Sequence, residues 1–86
     1  MQIITTEDSA FEQFLALWRD AKLVGKYWAN GQIKLVCVTN QYLLIGLNSN
    51  PTKIAIKAVK SIAEAESFAQ HLLSREKSRG HKVELQ

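Results

Sequence analysis

The chain has 86 residues, 47% of them hydrophobic and 22% charged, with a net charge of +3; these values describe one globular domain over residues 1–86 and count against disorder. A single cysteine, Cys37, excludes an internal disulfide framework and fits a reducing compartment. The apolar runs fall far short of the ~18 residues of a membrane span, and no basic stretch precedes an apolar block at the start, so a soluble cytoplasmic protein with no membrane contact is expected.

The first predicted element is a helix over residues 8–22. Ala10, Phe11, Phe14, Leu15, Leu17, Trp18 and Ala21 recur at three- and four-residue steps, while Glu7, Glu12, Gln13, Arg19 and Asp20 fall mostly on the other side. Thr6 is the expected cap, with Ser9 and Glu12 as an alternative capping box, and Glu7 and Asp8 suit the positive end of the helix dipole. Phe11, Phe14 and Trp18 read as core.

Residues 23–26 read as a linker, with a strand beginning at Tyr27, Trp28 and Ala29. Asn30-Gly31 predicts a tight turn, because both residues tolerate positive φ. Residues 33–38 are the next strand, with Cys37 buried inside it. After a turn at 39–41, residues 42–47 return as a strand apolar on both faces, the pattern of a covered central strand. Residues 48–52 form a loop in which Pro51 closes the ladder. Over residues 53–60, Ile54, Ile56 and Ala58 point one way, and Lys53, Ala55, Lys57 and Val59 the other.

The second helix is the best specified. Ser61 and Glu64 make a capping box, and Ile62, Ala65, Phe68, Ala69, Leu72 and Leu73 form its apolar stripe. Arg75, Lys77 and Arg79 load its C-terminal end, where the dipole favours cations, and Gly80 fits a left-handed terminus. Residues 81–85 alternate and leave room for a short strand. The fold class predicted is α+β: an antiparallel sheet of three to four strands packed by two helices, in the order α-β-β-β-α, with short strands allowed at the ends.

The charge is lopsided. Residues 1–50 carry four cations against four acids, and residues after Pro51 carry seven against four, so the whole excess of +3 lies there. A nucleic-acid-binding module is the function this asymmetry favours, with DNA or RNA as the partner. Its footprint is Lys53, Lys57, Lys60, Arg75, Lys77, Arg79 and Lys82, for phosphates. Tyr27 and Trp28, flanked by Lys26, add rings on which bases can stack. Lysines on an outer strand face also guard a sheet edge without any ligand. The competing reading is a protein-interaction module or a homodimeric accessory protein of a larger complex, because Leu43, Ile45, Leu47 and Trp28 need cover that a copy could supply.

Catalysis is not expected. His71 reads as a boundary residue beside the apolar stripe and His81 as solvated. Capping explains Asp8, Ser9 and Glu12, and no spacing suits a metal. Gly25, Gly31, Gly46 and Gly80 are scattered, which leaves no phosphate-cradling loop. No cofactor is expected.

From Tyr42 onward, Ile45-Gly46, Ser61, Glu64-Ala65, Phe68, Leu72, Glu76-Lys77 and Gly80-His81 follow one another at spacings that resemble the WGR domain. The resemblance covers the C-terminal half. The family's Trp-Gly-Arg signature would fall on Tyr42-Leu43-Leu44, where none of its residues is kept. In the DNA-dependent poly(ADP-ribose) polymerases that domain contacts DNA, so the resemblance implies DNA as the partner here.

Overall fold

The computed structural model describes residues 1–48 and 50–86. Its elements are β1 (Gln2–Thr5), α1 (Phe11–Asp20), β2 (Lys22–Ala29), β3 (Gln32–Val38), β4 (Tyr42–Leu47), β5 (Lys53–Ala58), α2 (Ile62–Ser78) and β6 (Lys82–Leu85). The strands make one six-stranded antiparallel sheet in the order β1-β5-β4-β3-β2-β6. This corrects the expected sheet of three to four strands in α-β-β-β-α order. The loop predicted over 48–52 includes Ser49, which lies outside the described residues.

Each departure from the expected sheet has a physical reason. β1 is four residues long, too short for alternation to register, and it pairs with β5, some fifty residues away. The supposed linker at 23–26 is the first half of β2. Gly25 suggested a break, but it sits at a bulge between Leu23 and Gly25. A Cβ there would lie 2.8 Å from both the Leu73 Cδ1 and the Glu84 carbonyl oxygen, so glycine lets α2 and β6 close onto β2. Residues 82–85 find their ladder on β2, again far away in sequence.

The first helix is shorter than predicted, and its expected caps are not used. Asp8 turns back instead: its Oδ2 accepts from the Thr5 N–H at 2.7 Å, and its own N–H donates to the Thr5 carbonyl at 2.9 Å. The carboxylate thereby ends β1, and α1 starts at Phe11 after Ala10, which offers no side-chain cap. The second helix begins and ends as its sequence requires. Ser61 Oγ accepts from the Glu64 N–H at 3.1 Å, and the Glu64 carboxylate accepts from the Lys60 N–H at 3.1 Å. At the far end Gly80 has φ +88°, and the N–H groups of Gly80 and His81 donate to the carbonyls of Lys77 and Glu76, a Schellman closure. Asn30 and Gly31 both have positive φ, 53° and 74°, and join Ala29 to Gln32 in a two-residue hairpin.

Strand alternation gives the sheet two faces, and each carries its own core. On one face Phe11, Leu15 and Trp18 of α1 pack on Ile4, Cys37, Leu44, Ile54 and Ile56. On the other, Ala65, Ala69 and Leu73 of α2 pack on Val24, Val36, Val38, Leu43 and Ile45. β4 is therefore buried on both faces from Leu43 to Gly46. Gly46 makes room for the Trp18 indole, whose Cη2 would be 3.0 Å from a Cβ at that position. Leu43 and Ile45, expected to need a partner's cover, are covered by α2.

The helices are offset. α2 crosses β4, β3, β2 and β6, while α1 sits over the β1-β5-β4 side. Each face is thus half covered and half open, at opposite ends of the sheet.

Candidate nucleic-acid interface

Cross-strand register decides which of the predicted site residues meet. Trp28 lies opposite Ile33 on one side and Lys82 on the other, and Lys26 lies opposite Leu35 and Glu84. These six side chains share the α1 face, over the half that α1 leaves open. Trp28 is half-buried, and the Lys82 ammonium stands 4.8 Å from its ring centroid. Lys82 also approaches Glu84 at 3.9 Å, and both are exposed. Ile33 is 41% exposed. Where α1 ends, Arg19 and Trp18 join Leu23 and Leu35 around a shallow groove of about 260 Å³. The result is an aromatic and aliphatic platform edged by Lys26, Lys82 and Arg19, with Glu84 beside the two lysines.

Tyr27, the neighbour of Trp28, points to the opposite face, as period-two alternation requires. It packs against the α2 core beside Val83. Burial first, and then the Glu76 carboxylate, push its hydroxyl above the ordinary 10.0, with Arg79 pulling the other way. Glu76 is the buried charged residue among those described. Its two oxygens are taken by Arg79 Nη1 at 3.1 Å and His81 Nδ1 at 2.8 Å. His81 is therefore a half-buried partner of Glu76 and not the solvated residue expected. The Schellman motif often carries an apolar contact between the positions of Glu76 and His81; here a hydrogen bond between the Glu76 carboxylate and the His81 ring stands in its place.

The remaining cations form two further groups. Lys53 and Lys57 project from β5 on the open half of the α2 face, with Lys60 just beyond the strand; Lys57 lies 4.8 Å over the Phe68 ring. Arg75, Lys77 and Arg79 crowd the end of α2. Along α2, Arg75 lies seven residues, about 10 Å, from Phe68 and Arg79 eleven, about 16 Å, so these cations trail away from the lysine group toward the helix end. His71 is exposed on α2. Cys37 is buried, and that burial raises its thiol from 9.0 to about 11, which makes it inert near neutral pH.

Sequence reading picked out Trp28 and Lys82 but could not pair them, because β6 beside β2 is a tertiary fact. It passed over Ile33, Leu35 and Arg19. Once residues 22–29 are known to be one strand, alternation identifies Lys26 with Trp28, and Ile33 with Leu35. Among the described residues, no group of three or more His, Cys, Asp or Glu side chains could hold a metal ion, and no helix is long and apolar enough to cross a membrane. Leu43 and Leu44, where the WGR-like pattern would put part of its signature, are fully buried, one on each face of β4.

In comparisons with known proteins, no family model, curated protein or solved structure matches the chain. What defines it as a class is architectural: a single antiparallel sheet with one helix on each face and an open, cation-edged half-face around Trp28.

Proposed function

We propose that the chain is a small, cytoplasmic, non-enzymatic module that binds single-stranded nucleic acid on the open half of the α1 face. The observation that carries this reading is the Trp28 ring on a sheet surface, with Lys26 and Lys82 beside it on the same face. Unpaired bases stack on such rings, and cations beside them track the phosphates.

The Lys82 contact on the ring supports a base as the ligand. An exposed ammonium–ring contact is worth about 0.5–1 kcal/mol. A base stacked on an aromatic side chain is worth about 1–3 kcal/mol. A base therefore displaces Lys82 from Trp28 at a net gain, and the freed ammonium stays within reach of the adjoining phosphate. Duplex bases are already stacked and do not make this exchange, so a single strand is preferred. With Arg19, Lys26 and Lys82 as the phosphate contacts, the slope of log affinity against log salt is about −2, from roughly −0.7 per phosphate on single strands. The WGR-like C-terminal half adds DNA as the first strand type to try.

The test is anisotropy of labelled single- and double-stranded DNA and RNA at low and physiological salt. Trp28→Ala is expected to weaken single-strand binding by about 5- to 150-fold, the equivalent of the ~1–3 kcal/mol stack. Lys57→Gln with Arg75→Gln and Arg79→Gln, all away from the Trp28 platform, is expected to leave it within about twofold apart from long-range electrostatics. The reverse pattern would move the interface to the α2 face. No binding at low salt would reject nucleic acid as the ligand.

A further inference from the structure

We propose that β1 is a self-association edge: a second copy of the chain pairs with it antiparallel, across a two-fold axis at Ile3, and joins two six-stranded sheets into one. The inference stands apart from the Trp28 platform, which lies toward the other end of the sheet.

The two edges of the sheet differ. β6 carries Lys82 and Glu84, both exposed, and alternating charge discourages edge pairing. β1 reads Gln-Ile-Ile-Thr and has no charge, and Ile3 is 56% exposed. Its outward backbone groups are open over a short window. Thr5 directs its N–H and carbonyl away from β5, because Asp8 engages both, at 2.7 and 2.9 Å. The N–H and carbonyl of one residue point the same way in an antiparallel ladder, and the direction alternates along the strand. Ile3 therefore presents its N–H and carbonyl outward, while Gln2 and Ile4 turn theirs to β5. Asp8 closes the edge at Thr5 and leaves Ile3 at the centre of the open window.

That window suits its own copy. In an isologous pair centred on Ile3, each Ile3 exchanges both hydrogen bonds with the other, and Gln2 meets Ile4. The charges agree with this register. Gln2 lies opposite Ile56 on β5, which puts Met1 level with Lys57. In the pair Thr5 is level with Met1 of the second copy, so the turn bearing Glu7 lies toward the second copy's Lys57. That acid–cation juxtaposition occurs twice. Lys53 and the second copy's Lys57 lie three strand spacings apart, about 14 Å, beyond the ~8–10 Å over which salt leaves charges strongly coupled. The open halves of the two α2 faces then become one floor between the two α2 helices, with the two Ile3 side chains in contact at its centre.

The test is sedimentation velocity of the whole chain from about 10 to about 500 µM, a range that captures micromolar dimers, together with cysteine cross-linking. The wild type is expected to reach twice its 9.7 kDa mass. Ile3→Lys, at an exposed position, is expected to lose the dimer while keeping its circular dichroism, and its melting temperature at concentrations where the wild type is monomeric. Ile3→Cys is expected to cross-link on oxidation, because directly opposed residues of this pair type have Cα atoms about 5.5 Å apart, within disulfide range. Leu85→Cys, exposed on β6, is expected not to. A wild type monomeric throughout, a dimer that survives Ile3→Lys, or preferential cross-linking at position 85 would each overturn the proposal.

Discussion

The two helices cover opposite faces of one sheet by opposite means. α2 is seventeen residues long, capped by Ser61 and closed by Gly80, and meets the sheet through Ala65, Ala69 and Leu73. α1 is ten residues long, has no side-chain cap, and meets the sheet through Phe11, Leu15 and Trp18. α2 carries much of its definition in its own sequence and approaches closely on small residues. α1 draws its stability from large side chains set into the sheet, the Trp18 indole against Gly46 above all. Isolated helices as short as α1 are marginal in water, so tertiary packing decides it.

The sharpest way to break this contrast is Trp18→Ala. Removing a buried indole costs about 3–5 kcal/mol, a large part of the ~5–15 kcal/mol that holds a typical domain. Urea unfolding should show a lower midpoint, and an unfolding free energy reduced by that amount when the midpoint is multiplied by the slope. Because both helices share the sheet, helical signal from α2 should be lost in the same transition. Survival of α2 after the sheet melts would show that the halves are not one cooperative unit.

A second experiment uses the titrating groups, one under each helix. Folded Cys37, beneath α1, keeps its proton up to about pH 11 against 9.0 for an ordinary thiol. Its contribution to stability is thus fully present below about pH 9 and is lost as pH rises through 11. Tyr27, on the α2 side, is also raised from 10.0 and adds to the loss in the same direction at higher pH. The Cys37 share is at most ~2–3 kcal/mol, at about 1.4 kcal/mol per pH unit. Urea midpoints between about pH 8 and pH 10.5 should fall less steeply in Cys37→Ala than in the wild type. Equal slopes would mean that water reaches the thiol in the folded state.

The smallest effect separates the helix starts. Ser61→Ala should cost about 1 kcal/mol, as the loss of a used cap does. Thr6→Ala should stay within about 0.5 kcal/mol, the range of surface changes that touch nothing. A larger loss at Thr6 would restore the start of α1 that sequence reading expected.

How far the chain could be read follows the same division. The turn at Asn30-Gly31, the two-sided burial of β4, the alternation of β5 and both ends of α2 depend on neighbours a few residues apart. They were legible for that reason. β1, the first half of β2 and the place of β6 depend on partners far along the chain, and local patterns there pointed elsewhere. Gly25 looked like a break and is a close-packing position. Asp8 looked like a helix residue and is the stop of a strand. In the candidate interface, Trp28 and Lys82 stand out singly in the sequence, while Tyr27, next to Trp28, serves the opposite face, as adjacent strand residues do.

By itself the sequence determined the chemistry available: a basic C-terminal half, one cysteine set in an apolar strand, a self-capped helix and a hairpin turn. Period and capping act within a few residues, so they survive without knowledge of the fold. The tertiary structure alone decided the strand order, the offset of the two helices and hence which half of each face stays open. Those depend on strand pairs separated by up to some sixty residues, and backbone pairing between distant segments is set by how two faces bury together, which no local pattern records.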